Sequence, residues 1–158
     1  ITVPAVGGDT LFADMYAAYD GLPDDIRERM NTMTAEHDFM SAFGRLLPKG
    51  ERDEMRERYP LVTHPVAPRH EATGRRYLYV NRYFTSRILG VSESESIELI
   101  EMLSRQADYP EYQCLYRWQN DAVAFWDNRA VQHYAASDYW PEKRVMERAS
   151  VIGKRPGV

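Results

Sequence analysis

Apolar positions in the first sixty residues recur at helical spacing. Phe12, Met15, Ala18 and Tyr19 follow the turn Gly7-Gly8-Asp9-Thr10, which predicts a helix capped by Thr10 and closed at Gly21. Leu22-Pro23-Asp24-Asp25 predicts a second helix, with Ile26 and Met30 on one face. Pro48-Lys49-Gly50 breaks the chain before a short charged helix over 51–58. From Tyr59 the period shortens. Leu61 to Pro68 reads as an extended segment, 72–75 as a turn, and 76–81 as a strand pairing back on it. Ser92-Glu93-Ser94-Glu95 is a capping-box pattern, opening a helix over 93–107 that buries Ile97, Ile100, Met102 and Leu103. Beyond Pro110, strands are predicted over 112–118, 122–126, 131–135 and 143–152, with a turn at 119–121. The run 122–126 is nearly all apolar, so it is expected to be buried on both faces.

Short strands joined by tight turns point to a sandwich, jelly roll or barrel, with a helical first part decorating its edge. At 158 residues, with 44% hydrophobic and 28% charged positions, the chain fits one folded unit. The net charge of −4 gives no basic surface for nucleic acid, and the charged run 51–58 mixes both signs. No apolar run reaches the roughly 18–20 residues that a membrane span needs. The single cysteine, Cys114, sits among aromatic and apolar residues and reads as a buried structural thiol in a reducing, cytoplasmic setting. The first ten residues carry no basic n-region, and the chain opens on Ile1 in what reads as a folded segment, so a piece of a longer protein is expected.

Chemistry concentrates in two stretches, 126–135 and 143–148. His133 lies in a predicted strand, where a lone histidine is more often structural than a ligand. On the second strand, alternation puts Arg144, Met146 and Arg148 on one face and Val145, Glu147, Ala149 and Val151 on the other. Guanidinium groups are costly to bury unpaired. Either these arginines meet solvent or protein acids such as Asp127 and Asp138, or they face an anionic ligand.

Six stretches carry a resemblance. Gly7-Gly8-Asp9-Thr10, Ala35-Glu36-His37-Asp38-Phe39, the segment 80–88, Trp126-Asp127-Asn128-Arg129, Gln132-His133-Tyr134-Ala135 and Arg144-Val145-Met146-Glu147-Arg148 stand in an order and spacing that resembles the taurine dioxygenase (TauD/TfdA) family of Fe(II)/2-oxoglutarate-dependent dioxygenases. The resemblance covers essentially the whole chain. It implies a mainly β protein with helical additions, whose core is a double-stranded β-helix (jelly roll) lacking its N-terminal strands. Residues 1–158 are then the C-terminal part of one such domain, with 1–58 a helical region and 59–158 supplying jelly-roll strands and one helix. It implies Fe(II), 2-oxoglutarate and O₂ as cofactor and cosubstrates, and a small anionic substrate of the taurine or alkylsulfonate kind, hydroxylated with release of succinate and CO₂. Alkyl sulfates, aryloxyalkanoates and a non-catalytic jelly-roll remnant stay open as alternatives. Self-association is implied; nucleic acid and membrane partners are not.

Residue by residue, His133 matches the distant histidine of a facial iron triad, whose other two ligands form a His-x-Asp/Glu pair. Arg144 matches the arginine that grips the far carboxylate of 2-oxoglutarate, a task suited to a bidentate guanidinium. Thr10 matches a threonine helping to hold the same cosubstrate. Arg148, Phe84 and Phe43 match residues of the primary-substrate pocket. The chain contains no His-x-Asp or His-x-Glu, and in the family that pair lies upstream of the Gly-Gly-Asp-Thr turn, so it is expected before Ile1. Glu147 stands where the taurine enzyme has a histidine, and Ala42 where it has a small hydroxyl residue. His37 is expected to be structural, His64 to sit at a strand edge, and His70 to be solvated.

Overall fold

The computed structural model describes residues 2–157. β1 (Thr10–Asp14) leads directly into α1 (Met15–Asp20), followed by α2 (Asp24–Met30), β2 (Thr34–His37) and α3 (Phe39–Phe43). α4 (Arg52–Arg58), β3 (Val62–Pro65), β4 (Thr85–Ile88), α5 (Glu93–Ser104), β5 (Gln113–Tyr116) and β6 (Val131–Ala135) complete the order. The strands form two antiparallel three-stranded sheets, ordered β5-β1-β6 and β3-β2-β4.

Thr10 opens a strand and caps no helix. The cap of α1 is Asp14, whose carboxylate accepts from the backbone N–H of Tyr16 at 2.8 Å and of Ala17 at 3.3 Å. Residues 10–14 are hydrogen-bonded to strands on both sides, and that pairing overrides the helical spacing of Phe12 and Met15. The first 58 residues, expected to be helical, thus also supply β1 and β2, the middle strand of each sheet. α1 ends at Gly21, α2 follows Pro23 with Asp24 and Asp25 in its first turn, and the Ser92 hydroxyl caps α5 by accepting from Glu95 N–H at 3.3 Å.

α5 buries Leu103 and packs Ile100 and Met102 against the core as expected, but not Ile97. Ile97 is 63% exposed, while Ser96, Leu99, Leu103 and Ser104 are buried. The buried backbone N–H of Ile88 donates to Ser96 Oγ at 2.8 Å, and this bond to β4 fixes the rotation of the helix. Residues 76–81 are extended and pair back on the preceding segment as expected, through an isolated Arg69–Arg76 bridge and a Tyr77 N–H donated to Pro68 O at 3.2 Å, though not as a longer ladder. Leu78 N–H donates to Met15 O at 3.1 Å, Tyr79 N–H donates to Val66 O at 2.9 Å, and Val80 O accepts from Gln132 Nε2 at 2.7 Å. The segment therefore ties β1, the stretch after β3, and β6 together. Met15, Met30, Val66, Tyr77, Leu78, Val80, Ile88 and Leu103 are fully buried around it.

Two expected strands are not formed as ladders. In 122–126 Val123 is 87% and Phe125 92% exposed, the opposite of the burial expected there, because no neighbouring strand among the described residues lies over them. In 143–152 only Val145 pairs, as an isolated bridge to Thr2. Cys114 is exposed, since β5 is an edge strand and no strand among the described residues covers the Phe12 face it shares. No helix of the described residues is long and apolar enough to cross a membrane.

Met15 sits where β1, α1 and the 76–81 segment meet. Met15→Ala is expected to lower the unfolding free energy by about 2–4 kcal/mol, read from the midpoint and slope of urea denaturation; a loss under about 1 kcal/mol would mean the junction is not part of the core.

Candidate cosubstrate and metal-ligand site

The register of β1 organises the site. Thr10 lies opposite Ala135 and Tyr116, and Phe12 opposite His133 and Cys114. Directly opposed residues of an antiparallel ladder share a face, and faces alternate along each strand. Thr10, Phe12, Tyr116 and His133 therefore project from one face; Leu11, Ala13, Gln132 and Tyr134 project from the other. The bridge between Val145 and Thr2 (N–H···O of 2.9 and 3.0 Å) lays the 143–148 segment beside this face. Arg144 then donates from Nη2 to Thr10 Oγ1 at 3.3 Å. His133, Thr10 and Arg144 are on the same side of the sheet.

Arg144 is half-buried, and its Nε is buried with no hydrogen-bond partner. No acidic side chain among the described residues forms an ion pair with it; Asp127 is engaged by Arg129, and Asp138 accepts from Gly8 N–H at 2.9 Å. An unpaired guanidinium N–H held away from water is costly. It is the donor that a bound carboxylate satisfies. Gly8 makes room for the arginine's stem: its φ is +71°, and a Cβ there would fall 2.9 Å from Arg144 Cδ. Trp118 completes the group. Its Nε1 donates to Thr10 Oγ1 at 2.9 Å, its ring packs edge-on against Tyr116 at 4.9 Å, and the Arg144 guanidinium carbon lies 6.0 Å from its ring centroid.

His133 exposes one edge and packs its ring on Trp126, 5.1 Å between centroids, and on Phe12, 6.3 Å. Burial, and secondarily the charge of Arg148, holds its pKa below the usual histidine value. That direction favours the neutral imidazole, the state a metal ligand needs. Arg148 itself is exposed. Phe43 and Phe84 meet at 5.7 Å. Phe84 and His133 both line one cavity of about 940 Å³, whereas Phe43, Thr10, Arg144 and Arg148 are not among its lining residues.

The same cavity holds a pair that sequence reasoning did not single out. His37, at the end of β2, and His64, in β3, sit diagonally on one face with rings 5.3 Å apart and Tyr79 5.2 Å from each. His37 Nε2 is buried without a partner, and burial followed by the neighbouring His64 lowers its pKa to about 4. His70 is not solvated as expected. It is buried and its Nε2 is 2.8 Å from Asp127 Oδ2, in a network with Arg129, whose guanidinium holds the Asp127 carboxyl well below the usual range. This network fixes the Trp126-Asp127-Asn128-Arg129 turn just ahead of β6.

Two fits can be tested on these residues. Thr10 and Arg144, with a buried unpartnered Nε, fit a carboxylate such as the far end of 2-oxoglutarate. An iron ion finds only one imidazole here, and among the described residues no group of three His, Cys, Asp or Glu side chains converges.

Against this geometry, the family description "Taurine catabolism dioxygenase TauD, TfdA family" matches residues 1–150, and the chain belongs to that family. It is 33% identical over 163 residues to an alpha-ketoglutarate-dependent sulfate ester dioxygenase of Pseudomonas putida, covering 99% of this chain and 54% of that protein. An alkylsulfatase of Acinetobacter baylyi is 32% identical over 162 residues, covering 98% of this chain and 50% of the other. Among solved structures, a taurine dioxygenase from Burkholderia xenovorans superposes with TM-score 0.75 at 32% identity, over 90% of this chain and 45% of that one. AAD-2 in complex with Mn(II) and N-oxalylglycine superposes with TM-score 0.83 at 30% identity, over 99% and 62%. The two sheets with their helices are therefore the TauD-type fold, the jelly-roll class that the resemblance implied. The chain spans about half the length of the curated relatives it matches.

The pKa of His37 sets a pH window. A histidine whose folded value is about 4 against roughly 6.5 unfolded adds stability that is complete above pH 6.5 and lost as pH falls toward 4. The melting temperature of the wild type should fall across that window, and His37→Gln should flatten the fall; parallel curves for the two proteins would refute the assignment.

Proposed function

We propose that this chain supplies the cosubstrate-binding part and one iron ligand of an Fe(II)- and 2-oxoglutarate-dependent oxygenase. The observation that carries the reading is the buried, unpartnered Nε of Arg144 beside the Thr10 hydroxyl, on the sheet face that also carries His133. Arg144 and Thr10 hold the far carboxylate of 2-oxoglutarate by charge-assisted hydrogen bonds. His133 presents a neutral imidazole to the metal. The other two ligands are a His-x-Asp/Glu pair upstream of Ile1, in the half of the relatives' length that this chain does not span. Residues 1–158 are the C-terminal part of that single domain, and the exposed Val123 and Phe125 are covered by its remaining strands. The overall reaction consumes O₂ and 2-oxoglutarate, releases succinate and CO₂, and hydroxylates the substrate.

The substrate is a small organic anion of the sulfonate or sulfate type. Arg148, which alternation puts on the same face of its segment as Arg144, binds the anionic group. Phe84 and Phe43 supply the apolar wall. Sulfate esters stand beside taurine as candidates: two of the relatives are described as a sulfate ester dioxygenase and an alkylsulfatase, and Ala42 stands where the taurine enzyme has a small hydroxyl residue in the pocket. A panel of taurine, alkyl sulfonates, alkyl sulfates and aryloxyacetates, scored by succinate release from the full-length protein with Fe(II), identifies the class.

In that assay Arg144→Ala should raise the KM for 2-oxoglutarate at least tenfold, the loss of about 1.5–3 kcal/mol expected for a hydrogen bond to a charged group. An unchanged KM removes Arg144 from the cosubstrate site.

A further inference from the structure

We propose that Trp118 is a positioning residue for the cosubstrate: its indole N–H, together with Arg144, occupies the acceptor side of the Thr10 hydroxyl and so directs that hydroxyl's proton at the bound carboxylate. This rests on the function proposed above. A threonine hydroxyl has one donor and two acceptor sites. Trp118 Nε1 lies 2.9 Å and Arg144 Nη2 3.3 Å from Thr10 Oγ1. Indole and guanidinium N–H groups only donate, so both bonds are accepted by Oγ1. The remaining capacity of Thr10 is its proton, and among the described residues no acceptor takes it. Arg144 Nε is likewise a buried donor with no acceptor. Two unspent donors side by side call for an acceptor with two oxygens.

Trp118 has no second polar atom with which to meet the ligand, so it acts through Thr10. Its own placement is determined by the sheet. It lies two residues beyond Tyr116, the partner of Thr10 in the ladder, and its ring is held edge-on against Tyr116. Without the indole N–H, the Thr10 hydroxyl is free to rotate and accept from water or ligand, and its donor direction is no longer fixed.

The test is equilibrium binding of N-oxalylglycine, a non-reacting analogue of 2-oxoglutarate, to the full-length protein loaded with Mn(II), measured by calorimetry. Trp118→Phe keeps a ring on Tyr116 and removes the N–H; it should weaken binding about fivefold to tenfold, the worth of one hydrogen bond. Thr10→Ala should weaken binding at least as much. The double variant Thr10→Ala/Trp118→Phe should bind no more weakly than Thr10→Ala alone, because the indole has nothing left to orient. Replacing Trp118 by the isosteric benzothienylalanine, which alters only the N–H, should reproduce the Trp118→Phe loss and so separates orientation from packing. Wild-type binding with an isostere affinity within twofold of it, or additive losses in the double variant, overturns the role of Trp118 and leaves the proposed function standing. No binding by the wild type overturns the function itself.

Discussion

Everything in the site hangs on β1 being the middle strand of its sheet. Paired to β5 on one side and β6 on the other, it has no freedom to slip: a shift of one residue would turn Thr10 and Phe12 to the opposite face and carry Leu11 and Ala13 to theirs. The buried Ala13 and the Met15 junction resist that shift. The register thereby fixes which side chains meet. Thr10 faces Tyr116 and Ala135, Phe12 faces His133, and the segment whose Val145 bridges Thr2 brings Arg144 onto Thr10. The apolar packing of this small sheet sets the position of every polar group in it.

That arrangement leaves the arginine in an unfavourable state by itself. Its nearest oxygen partner is a neutral hydroxyl at 3.3 Å, and its Nε has none. Folded proteins seldom leave a buried donor unpaired, and among the described residues no carboxylate pairs with Arg144, whereas Arg129 is engaged by Asp127 and Glu71. The contrast between these two arginines separates structure from function. Arg129 locks a turn ahead of β6; Arg144, with Gly8 against its stem, Trp118 at its flank and Thr10 as its one hydrogen-bond partner, is left with a free donor, the feature on which the proposed cosubstrate site rests.

The turns, helix ends and β6 were readable from sequence because they depend on local chemistry: Pro23 and the acidic first turn of α2, Ser92 at the head of α5, and alternation over 131–135. Thr10 misled because Phe12, Met15, Ala18 and Tyr19 satisfy helical spacing by accident, across the boundary between a strand and a helix. Their true assignment depends on β5 and β6, more than a hundred residues away in the chain. The burial of His70 was invisible for the same reason, since its partner Asp127 is 57 residues distant. The apolar run 122–126 reads as buried, yet no strand among the described residues covers it. The motif resemblance singled out Thr10, His133 and Arg144, which lie on one side of the β5-β1-β6 sheet, while alternation alone left the partner of Arg144 open. Trp118 was missed, although its spacing of two from Tyr116 placed it on the Thr10 face once the ladder was known. The His37–His64 pair carried no sequence signal beyond two histidines in separate segments.

What Arg144 holds decides the function of the site. The most direct measurement is a crystal structure of the full-length protein with N-oxalylglycine bound. The account predicts its far carboxylate within hydrogen-bonding distance of both the Arg144 guanidinium and Thr10 Oγ1, with His133 on the metal at the other end of the ligand. A ligand bound elsewhere, or an Arg144 turned away from it toward a protein carboxylate, would contradict the account.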